Sequence, residues 1–283
     1  MNKITVGLIG LGEMGSAIGS YLVKCGINVI SDFSERSQQS QKRSISGGIV
    51  NCESLQNLCF ESDIIFSIIP PDRSEGVAKD IVEEKRRNEF QTIYCDLNAI
   101  SPPTSIKIGE LILGAGIEYV DGGIIGGPPN EEAFPKVYVS GKSANKLKSL
   151  NKKGIDLRIL SENVGEASAV KMCYASVTKG STALMTGALI TANKLGVFDT
   201  VMKEFEDSQK NFHNTMINGI PNITHKAYRW IGEMHEISST FNNAGLDGGF
   251  HKESALIFDL MSNISKNKMH ETKSIINEIS DLA

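Results

Sequence analysis

At 283 residues, with 40% hydrophobic and 22% charged side chains, the chain is long enough for two domains and has the composition of an ordinary globular protein. A formal net charge of -4 gives no electrostatic reason to expect nucleic acid or an anionic membrane as a partner. The five cysteines (25, 52, 59, 95 and 173) form no CxxC pair and the histidines all lie beyond residue 212 without ligand spacing, which argues for free thiols and against a metal site.

The N-terminal "MNKITVGLIGLG" lacks a signal-peptide cleavage pattern and reads as a first strand. No stretch approaches 18 continuous apolar residues, so a cytoplasmic location is expected. Strands are predicted at 4–9, 28–31, 63–69, 92–97, 117–122, 136–141 and 157–160, with charged amphipathic segments such as "RSEGVAKDIVEEKRRNEF" between several of them. Alternation of this kind points to an α/β domain with a doubly wound, mostly parallel sheet. After Gly165 the strand signals stop, and residues 166–195 read as one long helix rich in Ala, Ser, Thr and Met. The remainder is helical in pattern; in "YRWIGEMHEISSTF" the apolar residues Trp230, Ile231, Met234, Ile237 and Phe241 recur at three- and four-residue spacing. The expected division is 1–163 for a Rossmann-type domain and 164–283 for an all-α domain.

The motif Gly10-x-Gly12-x-x-Gly15 follows the first strand directly and opens a helical pattern. Gly10 permits the tight turn, Gly12 lets a pyrophosphate approach the backbone, and Gly15 lets helix and strand pack closely. Glu13 and Met14 fall within the same turn, at a helix N-terminus whose free N–H groups favour phosphate. These residues predict a bound dinucleotide. Its identity rests on "VISDFSERSQQSQKR". Asp32, 17 residues after Gly15, suits the ribose of NAD, whereas Ser31, Arg36, Ser37, Lys42 and Arg43 make a cationic stretch suited to the 2′-phosphate of NADP. The balance leans to NADP, with NAD possible.

In "EASAVKMCYASV" a single lysine, Lys171, interrupts a small and apolar helical run. Bare spacing allows a snorkelling or ion-paired stem, with Glu166 or Asp121 as partner, or a proton carrier whose pKa desolvation lowers. Lys179 lies on a similar face. Trp230, Met234 and Ile237 read as core, Glu233 and Glu236 as solvated, and His251 and Cys173 carry no signal.

With these features together, the chain resembles the β-hydroxyacid dehydrogenase family, which includes 3-hydroxyisobutyrate and 6-phosphogluconate dehydrogenases. "GLIGLGEMG" is similar to that family's cofactor motif, and "GEASAVKMCYAS" to its catalytic helix. "IIPPD" resembles the loop over the adenosine half, and "DLNAISP" the segment beside the nicotinamide. Together "NAISPPT", "VDGGIIGGPP", "KMCYASVTKG" and "YRWIGEMHEI" resemble a less characterised, 6-phosphogluconate-dehydrogenase-like branch with a distinct helical C-terminal domain.

The resemblance implies an oxidoreductase that interconverts a hydroxy acid or related alcohol with its carbonyl form using NADP(H), with Lys171 as general acid and base. It makes Pro70 and Asn98 cofactor contacts, with Ser101 nearby. Asp121, Gly122, Gly123, Ile125 and Gly126 become substrate contacts. Two positions depart from the family pattern: Ile125 stands where a serine is usual, and Tyr174, one turn after the lysine, where an asparagine is usual. Tyr174 is a candidate for orientation or proton relay. Small-molecule substrates and a homodimer formed through the helical domain are further expectations. The alternatives are an imine reductase and a non-catalytic NADP-binding regulatory protein.

Overall fold

A computed structural model of the chain describes residues 4–130, 134–151, 155–264 and 271–283. The chain forms two compact units, Met1–Met172 and Cys173–Ala283. The first unit runs past the expected boundary at residue 163 because the first turns of the long helix pack onto its sheet.

In the first unit β1 (Thr5–Ile9), α1 (Glu13–Lys24), β2 (Asn28–Ser31), α2 (Gln38–Ser46), β3 (Val50–Asn51), α3 (Leu55–Glu61) and β4 (Ile64–Ser67) follow in order. Next come α4 (Ser74–Arg87), β5 (Ile93–Asp96), α5 (Pro102–Gly114), β6 (Glu118–Ile125), β7 (Lys136–Ser140), α6 (Lys148–Asn151) and β8 (Leu157–Ile159). The sheet order is β3-β2-β1-β4-β5-β6-β7-β8, parallel throughout except for the β6/β7 pair. The chain leaves β1 towards one edge and returns to β4 beside it, which creates a switch point at their carboxyl ends, where doubly wound sheets bind ligands.

The sheet is buried on both faces, and strand alternation sorts the core into two layers. Val6, Leu8, Phe66 and Val120 pack with Ile18 and Leu22 of α1; Ile9, Ile65, Tyr94 and Tyr119 pack with Leu58, Ile81, Ile108 and Ile112 of α3, α4 and α5. Each such aliphatic side chain contributes about 1.5–3 kcal/mol on full burial.

Two strand details differ from expectation. β3 was not anticipated, since two exposed residues carry no pattern. β6 continues through Gly122–Ile125, where Gly122 lies opposite Val139 and Gly123 opposite Tyr138.

The long helix α7 (Glu166–Lys194) carries its first turns in the first unit and continues into the second. There follow α8 (Phe198–Ser208), α9 (Lys210–Ile223), α10 (Ala227–Asn243), α11 (Gly249–Ser262) and α12 (Thr272–Leu282), and no strand occurs among the described residues of this unit. Met234 and Ile237 of α10 are fully buried, and Trp230 packs edge-on against Phe258, as their spacing predicted. No described helix is long and apolar enough to cross a membrane.

Candidate active site

The glycine turn between β1 and α1 has the shape its residues require. Gly10 adopts φ +104°, and a Cβ there would stand 2.2 Å from the Ile68 carbonyl oxygen beyond β4. A Cβ on Gly15 would meet the Gly10 carbonyl oxygen at 1.9 Å. Gly12 is different: nothing lies within 4 Å of its would-be Cβ, and it is exposed together with Glu13, while Met14 is half-buried. Gly12 is the N-cap of α1 without a side-chain cap, so the helix end presents bare N–H groups to an open space. That arrangement fits the pyrophosphate of a dinucleotide.

Around the end of β2 the hydroxyls expected to help are otherwise engaged. Ser31 is buried and donates to the Leu8 carbonyl at 2.6 Å across the sheet, so it is turned away from solvent. Ser37 caps α2 by accepting from the Ser40 N–H. Asp32 accepts from the Ser34 N–H through one oxygen. Arg36 is half-buried, and its Nε has no hydrogen-bond partner in the protein. Arg43 adds a contact that the sequence did not indicate: its guanidinium donates to the Leu11 carbonyl of the glycine turn at 3.4 Å. Ser44 is buried against Ser16 beside it.

At the carboxyl ends of β4 and β5, Pro70 is exposed and Asn98 is buried. Asn98 accepts from the Ile69 N–H at 2.7 Å and donates to Ser67 Oγ at 3.1 Å, so its side chain ties the two strand ends together. Ser101 is buried and caps α5 by accepting from the Thr104 N–H.

The β6 segment departs most from expectation. Asp121 is fully buried, and its carboxylate accepts from Ser105, Ser140 and Ser168 Oγ and from the N–H groups of Gly165, Ala167 and Ser168. Both oxygens are committed to the protein, which leaves no place for a substrate contact. Burial pushes the Tyr119 phenol well up, with the Asp96 and Asp121 carboxylates adding to the effect, so its hydroxyl is neutral where it meets Ser105.

The glycines serve close packing. A Cβ on Gly122 would lie 2.5 Å from Leu97 Cδ2, and one on Gly123 would lie 2.7 Å from Lys171 Cβ. Ile125, half-buried, shares the face of β6 that carries Asp121 and Gly123, and Gly126 follows with φ +128°.

Lys171 is half-buried on the second turn of α7, and Tyr174, one turn further on, is 52% exposed. The order β1-β4-β5-β6 therefore lines up the glycine turn, the Ile68–Pro70 segment, Asn98 and the Gly123–Lys171 contact along one edge of the sheet. Three strand spacings separate the ends of this row, about 14 Å.

Within the second unit, two expectations change. Glu233 is buried and forms an ion pair with Lys179, whose ammonium also lies 4.9 Å from the centre of the Trp230 ring. Lys179 is thus held by α10. His251 is buried between the rings of Phe241 and Phe250.

Residues 5–154 match the NAD binding domain of 6-phosphogluconate dehydrogenase, and residues 192–261 match a domain of unknown function, DUF1932. An uncharacterised 28.5 kDa protein of Methanothermus fervidus is 33% identical over 72% of this chain and 77% of its own. The 2-(hydroxymethyl)glutarate dehydrogenase of Eubacterium barkeri is 26% identical over 71% of this chain and 68% of its own. Among solved structures, a conserved protein of unknown function described as similar to 3-hydroxyacid dehydrogenases superposes with TM-score 0.68 at 26% identity, covering 96% of this chain and 99% of that one. The Mycobacterium tuberculosis 3-hydroxyisobutyrate dehydrogenase with L-serine gives 0.69 at 16% identity, covering 98% and 99%. An imine reductase of Myxococcus stipitatus with NADP+ gives 0.60 at 16%, covering 97% and 99%; at such identities these two likenesses speak for the fold. From the glycine turn, the sheet order and the matched domain, the chain belongs to the β-hydroxyacid dehydrogenase family of nicotinamide-dependent oxidoreductases.

Proposed function

We propose that the protein interconverts a hydroxy acid or related alcohol with its carbonyl form using NADP(H), with Lys171 as the proton donor in reduction and acceptor in oxidation. The observation that carries this reading is the row from the bare helix end at Gly12 to Lys171 across the carboxyl edge of β1, β4, β5 and β6. When bound, the nicotinamide supplies or accepts the hydride at the substrate carbon.

The chain's own residues do the rest. The α1 terminus holds the phosphates, and Asn98 fixes the Ile69 backbone that follows β4. In reduction the alkoxide oxygen left by hydride addition needs a proton, and the Lys171 ammonium provides it. In oxidation the neutral amine removes the hydroxyl proton as the hydride leaves. Arg36 supports the choice of NADP, because a half-buried guanidinium with an unsatisfied Nε is suited to a 2′-phosphate. Arg43 adds positive charge beside the same turn. Ile125, on the Lys171 side of β6, supports a substrate bulkier than the smallest 3-hydroxy acids.

Two companion readings belong here. The half-exposed Tyr174 supports imine reduction as a second activity to screen. Val177 and Leu184, 67% and 62% exposed on one helix, support a homodimer formed through the helical unit.

Lys171→Ala tests the mechanism. Turnover should fall by about 10²–10⁴-fold with cofactor affinity and thermal midpoint nearly unchanged. A loss below about tenfold would make the lysine structural.

A further inference from the structure

Asp121 sits where substrate contacts are expected in this family, yet all its bonds run inward. Three of its six donors are backbone N–H groups of Gly165, Ala167 and Ser168, at 3.0, 2.9 and 3.1 Å, at the very start of α7. These are the groups that a helix leaves without partners at its N-terminus, and they lie at a positive helix end. Ala167 and Ser168 are themselves fully buried, so water cannot replace the carboxylate. The other donors come from three different elements: Ser105 of α5 at 2.7 Å, Ser140 of β7 at 2.9 Å and Ser168 of α7 at 2.5 Å.

Two residues along the same strand face, Gly123 meets α7 again. A Cβ there would stand 3.0 Å from the Ala167 carbonyl oxygen and 2.7 Å from Lys171 Cβ. The helix is therefore held to β6 at two points, one a charged cap and one a close steric seat. A cap alone fixes where a helix starts; a seat alone allows it to slide. Together they fix both its axial register and its rotation, and Lys171 lies three residues beyond the last capped N–H. A shift of one residue would swing Lys171 by about 100° around the helix axis.

We propose that Asp121 is the positioning residue for Lys171: its carboxylate, by capping α7 against β6, sets the place of the lysine amine. This rests on Lys171 being the proton carrier, but the decisive measurement does not need turnover. Acylate the whole protein briefly with an N-hydroxysuccinimide ester and quantify each lysine by peptide mass spectrometry, with the exposed Lys42 and Lys252 as internal references. In Asp121→Asn, kept below its melting transition, acylation of Lys171 relative to those references should rise at least about threefold, because the first turn of α7 is loosened. An unchanged or lower ratio overturns the proposal. If Asp121→Asn does not fold, Ser105→Ala combined with Ser168→Ala removes both hydroxyl donors to one carboxylate oxygen. The same rise, smaller in size, is then expected, and its absence counts against the proposal.

Turnover separates the two ideas. Asp121→Asn should lower kcat by about tenfold or more while leaving cofactor affinity unchanged, and should cause no further loss when added to Lys171→Ala. A full additional loss in that background would show that Asp121 does not act through the lysine. Intact turnover in Lys171→Ala would refute the proton-carrier reading, with the acylation ratio still deciding the positioning role.

Discussion

Replacing Gly123 by alanine asks whether β6 sets the position of Lys171. The new Cβ would stand 2.7 Å from Lys171 Cβ, whereas ordinary contact begins at 3.4 Å. Helix or strand must therefore give way by 0.7 Å (3.4 minus 2.7). Neither neighbour can swing aside, since one is the root of the lysine side chain and the other is the Ala167 carbonyl. Overpacking of this kind costs about 1–3 kcal/mol, which lowers the thermal midpoint by about 2–12 °C in a unit of this size. Catalysis is the more sensitive quantity, because misplacement of a reacting group by about 1 Å costs about 10²-fold. The measurements are kcat and KM for carbonyl reduction, a fluorescence titration of cofactor and a melt of the same preparation. The expected result is a kcat lower by about 10²-fold with unchanged cofactor affinity, since the glycine turn lies three strands away. A kcat within about threefold of wild type, at a temperature where the variant is folded, would refute the link between strand and lysine.

Arg36→Ala should weaken NADPH binding by about tenfold to a hundredfold, the worth of a charge-assisted contact, and leave NADH unaffected; tighter NADH than NADPH in wild type would point to Asp32 instead. Glu233→Gln removes the buried carboxylate paired with the half-buried Lys179 and should cost about 3 kcal/mol in urea unfolding. A cost near zero would mean that the ion pair with Glu233 adds nothing net to stability. Burial keeps the His251 imidazole below its ordinary value of 6.5, so the unfolded chain takes up the proton first as pH falls. Its effect on stability is absent above about pH 6.5 and grows as a loss below it. His251→Phe should therefore flatten the fall in stability between about pH 7 and pH 5, and an unchanged slope would exclude this residue as the source.

Local chemistry made much of the architecture legible. The glycine turn, the β-branched runs and the charge-poor stretch of α7 each announce themselves within a few residues, and each forms where the pattern puts it. What could not be read depends on partners far away in the chain. Asp121 finds its donors 16, 19, 44, 46 and 47 residues onward or back, and no period links those serines and amides. The predicted strand stops at Gly122, because a second glycine carries no strand pattern; only the approach of Leu97 and Lys171 explains the pair inside a strand that runs on to Ile125. Glu233 looks solvated on a helix of mixed polarity until Lys179, 54 positions earlier, closes on it. Ser31 has the right place for a cofactor contact and the wrong orientation, which a sequence does not record.

The continuity of α7 bears on how such proteins can be recombined. A 29-residue helix, about 43 Å long, carries the lysine on its second turn and then becomes part of another compact unit. A cut at residue 163, where the strand pattern ends, would hand Lys171 to the helical fragment and leave a buried Asp121 without its three amide donors. A cut after Met172 keeps the cap and the lysine with the sheet but severs a helix in mid-course. Exchange of the helical half between relatives is therefore constrained to junctions that carry Gly165–Met172 along with β6. Within that limit, the distal part of α7 and the helices after it can be exchanged without touching the Asp121 cap.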